Sequence, residues 1–154
     1  MRTVCRLPRS ETRSLWRCKD MQGEPMEETD ALRILRALLL REGAEWREEN
    51  GWLRFRSKHG AMLWETDCRM TDGAMLLYGR FPFRCADADA ARTFCEEMNR
   101  KLIRGALYLT EDGTPVYRCT ADTDDVYGAE QRISEALHYS AQVIAYCWGR
   151  LSGI

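Results

Sequence analysis

Residues between positions 52 and 58 have the types and the spacing of a binding surface. Alternate positions hold a tryptophan and three cations: Trp52, Arg54, Arg56 and Lys58. Alternate side chains lie on one face of a β-strand. An aromatic ring that stacks on bases, beside cations that hold phosphates, is the chemistry of single-stranded nucleic-acid binding. The same residues would also form a surface for a protein or a peptide.

Acidic residues on the neighbouring strand help to decide between these two interpretations. An Asn-Gly pair at positions 50–51 predicts a two-residue hairpin loop, since both turn positions need positive φ. That loop length sets Glu49 opposite Trp52 and Glu45 opposite Arg56. Cross-strand acids neutralise part of a basic face. The sequence therefore favours a protein, peptide or dimer surface, and nucleic-acid binding stays the alternative.

Residues that could support catalysis or hold a metal are present but are not grouped. The seven cysteines include no Cys-x-x-Cys pair, and neither His59 nor His138 has a cysteine close in sequence. Because a structural zinc site usually contains such a pair, we expect no metal. The sequence also lacks a glycine-rich phosphate loop. These observations predict a protein that is not an enzyme and needs no cofactor.

Cysteine usage indicates a compartment. Cys95 and Cys147 fall on apolar helical stripes, which predicts thiols buried in a core. An odd count argues against a complete set of intramolecular disulfides. Reduced thiols are typical of the cytosol, so we expect a cytoplasmic protein. No run approaches about 18 consecutive apolar residues, so we predict no transmembrane helix and no membrane partner.

Hydrophobic periodicity and turn signals predict an α+β fold of three helices and five to six strands, in the order α-β-β-β-β-α-β-β-α. The helices are expected at 30–42, between 87 and 105, and from about 128 to 151. Hairpin turns dominate, so the sheet should be mostly antiparallel with the helices packed on one face. The third and fourth strands are expected at 61–68 and 74–83. A two-residue loop at 112–113 would pair Tyr108 with Tyr117.

The near-neutral net charge of −1 combines two unlike regions. Residues 1–20 carry a net charge of +4, which leaves −5 for residues 21–154. We expect residues 1–25 to be a basic, disordered and dispensable extension, or to precede a true start at Met21 or Met26. The rival interpretation is a basic tail that binds an acidic partner. Residues 26–154 are expected to form a single domain of ordinary size.

The stretch 94–118 shows a recognisable pattern. It reads FCEEMNRKLIRGALYLTEDGTPVYR, a helix that ends in an Asn and a Leu, then a Gly, an alternating strand, an Asp-Gly turn and a strand with an aromatic-Arg pair. With the order of the other elements over roughly 28–152, it resembles the YbjN family of bacterial proteins, which have a type III secretion chaperone-like fold. The resemblance implies an antiparallel sheet backed by helices, a tendency to dimerise, and action by binding other proteins, described as sensory-transduction regulation. The motif carries no catalytic signature.

We therefore predict a cytoplasmic, non-enzymatic protein- or peptide-binding module, chaperone-like or regulatory. Binding would use the sheet face, or strand addition at a sheet edge. Partner contacts are expected at five residues: Trp52, Arg54, Arg56, Tyr108 and Tyr117. The alternative function is single-stranded nucleic-acid binding through Arg54, Arg56, Lys58 and the basic N-terminus.

Overall fold

A computed structural model describes residues 28–154. The predictions made for residues 1–25 lie outside this range. The helices are α1 (Asp30–Arg41), α2 (Ala88–Asn99) and α3 (Val126–Ser152), and the strands are β1 (Trp46–Glu49), β2 (Trp52–His59), β3 (Met62–Thr71), β4 (Ala74–Arg80), β5 (Ala106–Leu109) and β6 (Pro115–Asp122). The order of elements confirms the predicted α+β arrangement.

The strands form one antiparallel sheet in the spatial order β1-β2-β3-β4-β6-β5. Alternate residues give the sheet an inner face, which packs on the helices, and an outer face on the opposite side. The inner face is mostly apolar, with one buried hydroxyl pair between Ser57 and Thr66, and contributes these side chains to the core: Leu53, Phe55, Trp64, Cys68, Met75, Leu77, Leu107, Tyr117 and Cys119. The helices add their own apolar stripes to the same core, among them Leu35, Phe94, Cys95, Ile144 and Cys147.

Local sequence signals set the helix ends. Thr29 caps α1, and its hydroxyl oxygen accepts a hydrogen bond from the Leu32 amide at 3.2 Å. Asp87 caps α2 in the same way through the Ala90 amide at 3.0 Å. The 27-residue α3 packs against β6, β4 and β2 and against α1, so it contacts strands of both the β1–β2 and the β5–β6 hairpin. Over residues 28–154, no helix is both long enough and apolar enough to cross a membrane.

The close approach of α3 to the sheet depends on a glycine in the middle of β4. A Cβ atom at Gly79 would overlap Ile144 Cδ1 and would lie 3.3 Å from Ser140 Oγ. A glycine at this inner-face position therefore lets the helix backbone lie directly on the strand.

The first hairpin has the predicted register. Asn50 and Gly51 adopt φ values of 54° and 78°, as a two-residue type I′ turn requires. The structure pairs Trp46 with Phe55 and Glu49 with Trp52.

The predicted register of the second hairpin is wrong by one residue. The structure pairs Tyr108 with Val116, and Tyr117 with Leu107. The loop contains three residues, because the Thr110 amide donates to the Thr114 carbonyl at 2.9 Å, whereas a two-residue loop would have paired residue 111 with Thr114. Gly113, with φ of 87°, is the left-handed residue that follows a type I turn in such a loop.

The motif at 94–118 has structural roles in this fold. Asn99 at the end of α2 bonds the backbone of β5, with its amide nitrogen 2.9 Å from the Leu107 carbonyl and its amide oxygen 2.7 Å from the Leu107 nitrogen. A Cβ at Gly105 would overlap the Arg118 carbonyl. The Tyr117 hydroxyl donates to the Arg104 carbonyl at 2.8 Å. These contacts fasten α2 and the following loop to the β5–β6 hairpin.

Candidate partner-binding face of the sheet

The outer face of the sheet contains three rows of side chains that cross the strands. The registers define a first row of Arg47, Arg54, Asp67, Tyr78, Arg118 and Ala106. A second row contains Arg56, Glu65, Arg80, Val116 and Tyr108. A third contains Glu49, Trp52, Arg69, Leu76 and Thr120. The rows combine charged and aromatic groups, in contrast to the apolar inner face.

A buried ion pair lies at the centre of the first row. The Nε atom of Arg54 is 3.1 Å from Asp67 Oδ1, and Asp67 is 1% exposed. Neither carboxylate oxygen accepts a well-aligned hydrogen bond within the described part of the chain. Burial raises the pKa of Asp67 from 3.8 to about 6, although the charge of Arg54 opposes that rise. Asp67 is therefore a carboxyl group poised to titrate just below neutral pH.

The other acids of the outer face also have cationic partners. Glu65 pairs with Arg80, its neighbour across the strands. Glu49 lies 3.9 Å from both Arg47 and Arg54. The carboxylates of the three rows are thus already engaged by arginines of the same face.

Four cations of the outer face remain without an acidic partner among residues 28–154: Arg56, Lys58, Arg69 and Arg118. Arg118 is exposed, and the other three are partly exposed. Arg69 lies over the Trp52 ring, 5.8 Å from its centroid. The outer face therefore has an excess of positive charge, although residues 21–154 carry a net charge of −5.

Trp52 is buried within this face and does not present an open stacking surface. It is 5% exposed, and the Tyr78 ring packs edge-on against it with centroids 5.5 Å apart. Its indole nitrogen is buried and has no hydrogen-bond partner within the described residues. Because Trp52 is buried, it offers no open ring face on which a nucleic-acid base could stack.

The two predicted tyrosines lie on opposite faces. Tyr108 is 37% exposed on the outer face, whereas Tyr117 is fully buried on the inner face. Burial raises the pKa of Tyr117 well above its ordinary value. The structure thus brings Trp52, Arg54, Arg56 and Tyr108 onto the outer face and separates Tyr117 from them.

The sequence-based prediction missed the outer-face residues of the central strands. Asp67, Arg69, Tyr78 and Arg118 lie on β3, β4 and β6, and their position beside Arg54 depends on strand order. The alternation of Glu65, Asp67 and Arg69 was a usable local signal. Nothing in one strand, however, identifies the strand beside it.

The two edges of the sheet differ. At β5, the side-chain amide of Asn99 bonds the outward-facing N–H and C=O groups of Leu107. At β1, Glu49 and Trp52 close the turn and exchange backbone hydrogen bonds. Hydrogen-bonded residues alternate along the strand, so the backbone N–H and C=O groups of Trp46 and Glu48 point away from β2. No described residue bonds those groups. Within residues 28–154, the β5 edge is thus closed at Leu107 but not at Leu109, whereas neither outward-facing residue of β1 is bonded.

The described cysteines form part of the core. Cys68, Cys85, Cys95, Cys119 and Cys147 are all free and buried. Burial raises the pKa of Cys95 to about 11 and that of Cys147 to about 12, so these thiols are protonated at neutral pH. The burial of Cys95 and Cys147 confirms the prediction from helical spacing. Over residues 28–154, no three His, Cys, Asp or Glu side chains are grouped so that they could hold a metal ion.

Similarity to other proteins adds no further information on the site. Comparison with protein-family models finds no match, and comparisons with curated proteins and with solved structures find none either. The outer face is therefore interpreted from the residues of this chain.

Proposed function

We propose that this chain is a cytoplasmic, non-enzymatic binding module that holds an acidic segment of a partner protein on the outer face of its sheet. The observation that carries the proposal is the group of four outer-face cations without an acidic partner among the described residues. Such a local excess attracts a partner of opposite charge and orients its approach. The rest of the body is acidic, so the attraction is confined to this face.

The spacing of the cations suits an extended peptide. Arg56 on β2 and Arg118 on β6 are separated by three strand-to-strand steps, about 14 Å, and by two residues, about 7 Å, along the strands, which gives about 16 Å on the diagonal. An extended peptide that follows this diagonal advances about 3.3 Å per residue, so acidic side chains about four to five residues apart would reach both guanidinium groups. Arginine pairs with carboxylates through two parallel hydrogen bonds, which favours a defined position. Tyr108, in the same row as Arg56, supplies an exposed aromatic ring beside them.

Side chains held in fixed positions lie between these contact residues. The Arg54–Asp67 pair and the Trp52–Tyr78 contact hold in place the side chains that lie between Arg56 and Arg118. Side chains already held in place lose less entropy on binding. Trp52 and Arg54 thus support the binding surface, and Arg56, Arg118 and Tyr108 contact the partner. The resemblance to the YbjN family supports the same class of action, because it implies a protein that acts by binding other proteins.

Nucleic acid is the competing partner, since the same cations would attract phosphates. The geometry of Trp52 disfavours it. Tyr78 and Arg69 cover the ring that bases would stack on. We therefore keep nucleic-acid binding as an outcome of the test.

The test measures binding of a fluorescent ten-residue glutamate-rich peptide by anisotropy. A glutamine-rich peptide of equal length and a single-stranded oligothymidine serve as comparison probes. We expect the acidic peptide to bind, with an affinity that falls as salt rises. The double variant R56Q/R118Q should weaken binding about tenfold. The control R92Q/R100Q removes two exposed arginines, Arg92 of α2 and Arg100 that caps its C-terminus, and should leave the affinity unchanged.

Two results would overturn the proposal. The first is an acidic peptide that binds no better than the glutamine-rich peptide at low salt. The second is an oligothymidine that binds the parent chain more tightly than the acidic peptide does and binds the R56Q/R118Q variant more weakly. That result would assign the face to nucleic acid.

A further inference from the structure

Asp67 lies beneath the path that joins Arg56 to Arg118 on the outer face. It is the diagonal neighbour of Arg56 across the β2–β3 pair, about 7–8 Å away. Arg118 is two strand-to-strand steps from Asp67 in the first row, or about 10 Å. Asp67 is 1% exposed, so its carboxyl group lies just below the surface that a partner would touch. A negative charge in this position acts on any group that the two arginines hold.

The carboxyl group of Asp67 has few contacts that stabilise its charged form. It lies 3.1 Å from the Nε atom of Arg54, but the contact is misaligned, since neither that atom nor either carboxyl oxygen has a hydrogen bond within residues 28–154. A buried carboxylate without hydrogen bonds is unfavourable, and protonation removes the charge that makes it so. Glu65, by contrast, accepts a hydrogen bond from Arg80. Asp67 is therefore the acid of this face that takes up a proton most readily.

Charged and titratable groups of four strands lie around Asp67. They are Arg47 of β1, Arg54 and Arg56 of β2, Glu65 and Arg69 of β3, and Tyr78 and Arg80 of β4. Arg80 is already paired with Glu65, and Arg54 lies 3.9 Å from Glu49. Burial outweighs the attraction of Arg54 and raises the pKa of Asp67 to about 6. Asp67 is thus ionised at about pH 8 and mostly protonated at about pH 5.5.

We propose that Asp67 couples proton uptake to partner binding, so that the outer face binds an acidic segment more tightly as pH falls from about 8 to about 5.5. The inference rests on the proposed function and adds a means of regulating it. The proton comes from the solvent and returns there when the partner leaves. Protonation removes the negative charge nearest to Arg54, so the positive charge of that arginine is left to attract the partner.

The partner and the proton favour each other for electrostatic reasons. A carboxylate held by Arg56 or Arg118 repels an ionised Asp67, and the bound segment excludes water above it. Both effects favour the neutral carboxyl group, so binding raises the pKa of Asp67. By thermodynamic linkage, a group that holds its proton more tightly in the complex strengthens binding as pH falls. A rise of about one pKa unit corresponds to about tenfold tighter binding to the protonated chain.

The test uses the full chain and the fluorescent glutamate-rich peptide, with anisotropy measured from about pH 5.5 to about pH 8. The peptide stays ionised over this range, because the ordinary pKa of glutamate is about 4.3. We expect the dissociation constant of the parent chain to be about five- to tenfold lower at the acid end of the range. Titration calorimetry in two buffers of different ionisation enthalpy should show uptake of about half a proton per complex near pH 6.5.

Substitutions assign the proton to Asp67. D67N replaces the carboxyl group with a neutral amide of similar shape, so its affinity should vary less than about twofold with pH and should equal that of the parent chain at about pH 5.5. D72N, in the exposed turn between β3 and β4, should keep the pH dependence of the parent chain. Histidine also titrates in this range, so H59Q/H138Q, which removes both histidines of the chain, should keep it too. If D67N did not fold, proton uptake by H59Q/H138Q would decide, and its absence would overturn the inference.

Three results would overturn this inference and leave the proposed function intact. The first is an acidic peptide that the parent chain binds equally well at both ends of the pH range. The second is a pH dependence that D67N retains, which would assign the proton to another group. The third is a folded D67N that binds more weakly than the parent chain at about pH 8, which would mean that binding needs the ionised Asp67. An acidic peptide that binds at no pH in the range would instead overturn the proposed function, and this inference with it.

Discussion

The inner and outer faces of the sheet are made by alternate residues of the same strands, and they differ in what holds them together. The inner face consists of fully buried apolar groups such as Leu53, Met75 and Leu77, packed on the helices. The outer face buries Asp67 and Arg54 as an ion pair. A buried ion pair can often be replaced by apolar residues at no cost in stability. The inner face is thus explained by folding, whereas the ion pair of the outer face is not required for stability.

The largest expected effect compares neighbouring leucines of β4. L77A removes a fully buried inner-face side chain from a central strand and should lower the free energy of unfolding by about 3 kcal/mol. L76A truncates the adjacent, partly exposed outer-face residue and should cost under about 1 kcal/mol. Urea denaturation measures both. Equal losses of unfolding free energy in the two variants would contradict the assignment of the core to the inner face.

The next effect concerns Asp67 and pH. Burial raises its pKa from 3.8 to about 6, so the native state binds this proton more tightly than the unfolded chain does. The stability due to this group is fully present below about pH 3.8 and is lost as pH rises through about 6. As pH rises from about 3.5 to about 7.5, the free energy of unfolding of D67N should increase by about 2–3 kcal/mol relative to that of the parent chain, because an asparagine at this position does not ionise.

Thermal or urea unfolding across this pH range measures that gain. D72N, in the exposed turn between β3 and β4, is the matched control and should run parallel to the parent chain. A D67N curve that also runs parallel to the parent would show that Asp67 is not shifted.

The smallest expected effect is on the stability of the exposed cations. R118Q removes an exposed charge that has no acidic partner among the described residues, so the free energy of unfolding should change by less than about 0.5 kcal/mol. The same denaturation assay measures it. A loss of 2 kcal/mol or more would mean that Arg118 serves the fold, and would weaken its assignment to a partner.

The fold was predictable where local chemistry determines geometry. An Asn-Gly pair has one favoured two-residue turn, so the register from Trp46 to Phe55 follows from position 50 alone. The Asp-Gly pair at 112–113 does not, because Thr110 and Thr114 close a three-residue loop around it. That single extra residue reverses which side chains of β5 and β6 share a face. It is the reason that Tyr108 and Tyr117 were expected in one site and lie in two.

The candidate site was predictable only in part, for a different reason. Trp52, Arg54 and Arg56 lie on one face, as alternation requires. Their availability depends on Asp67, Arg69 and Tyr78, which reach them from strands that are distant along the sequence. The expected aromatic platform is consequently a buried support, and the exposed arginine beside it, Arg118, comes from β6.

The side-chain amide of Asn99 has a consequence for unwanted association at the β5 edge. It occupies the outward N–H and C=O groups of Leu107, so among the described residues of β5 an added strand would find only the outward groups of Leu109 unbonded. A single residue offers an added strand one donor and one acceptor. One asparagine thereby shields this edge where another protein would need a covering helix or loop.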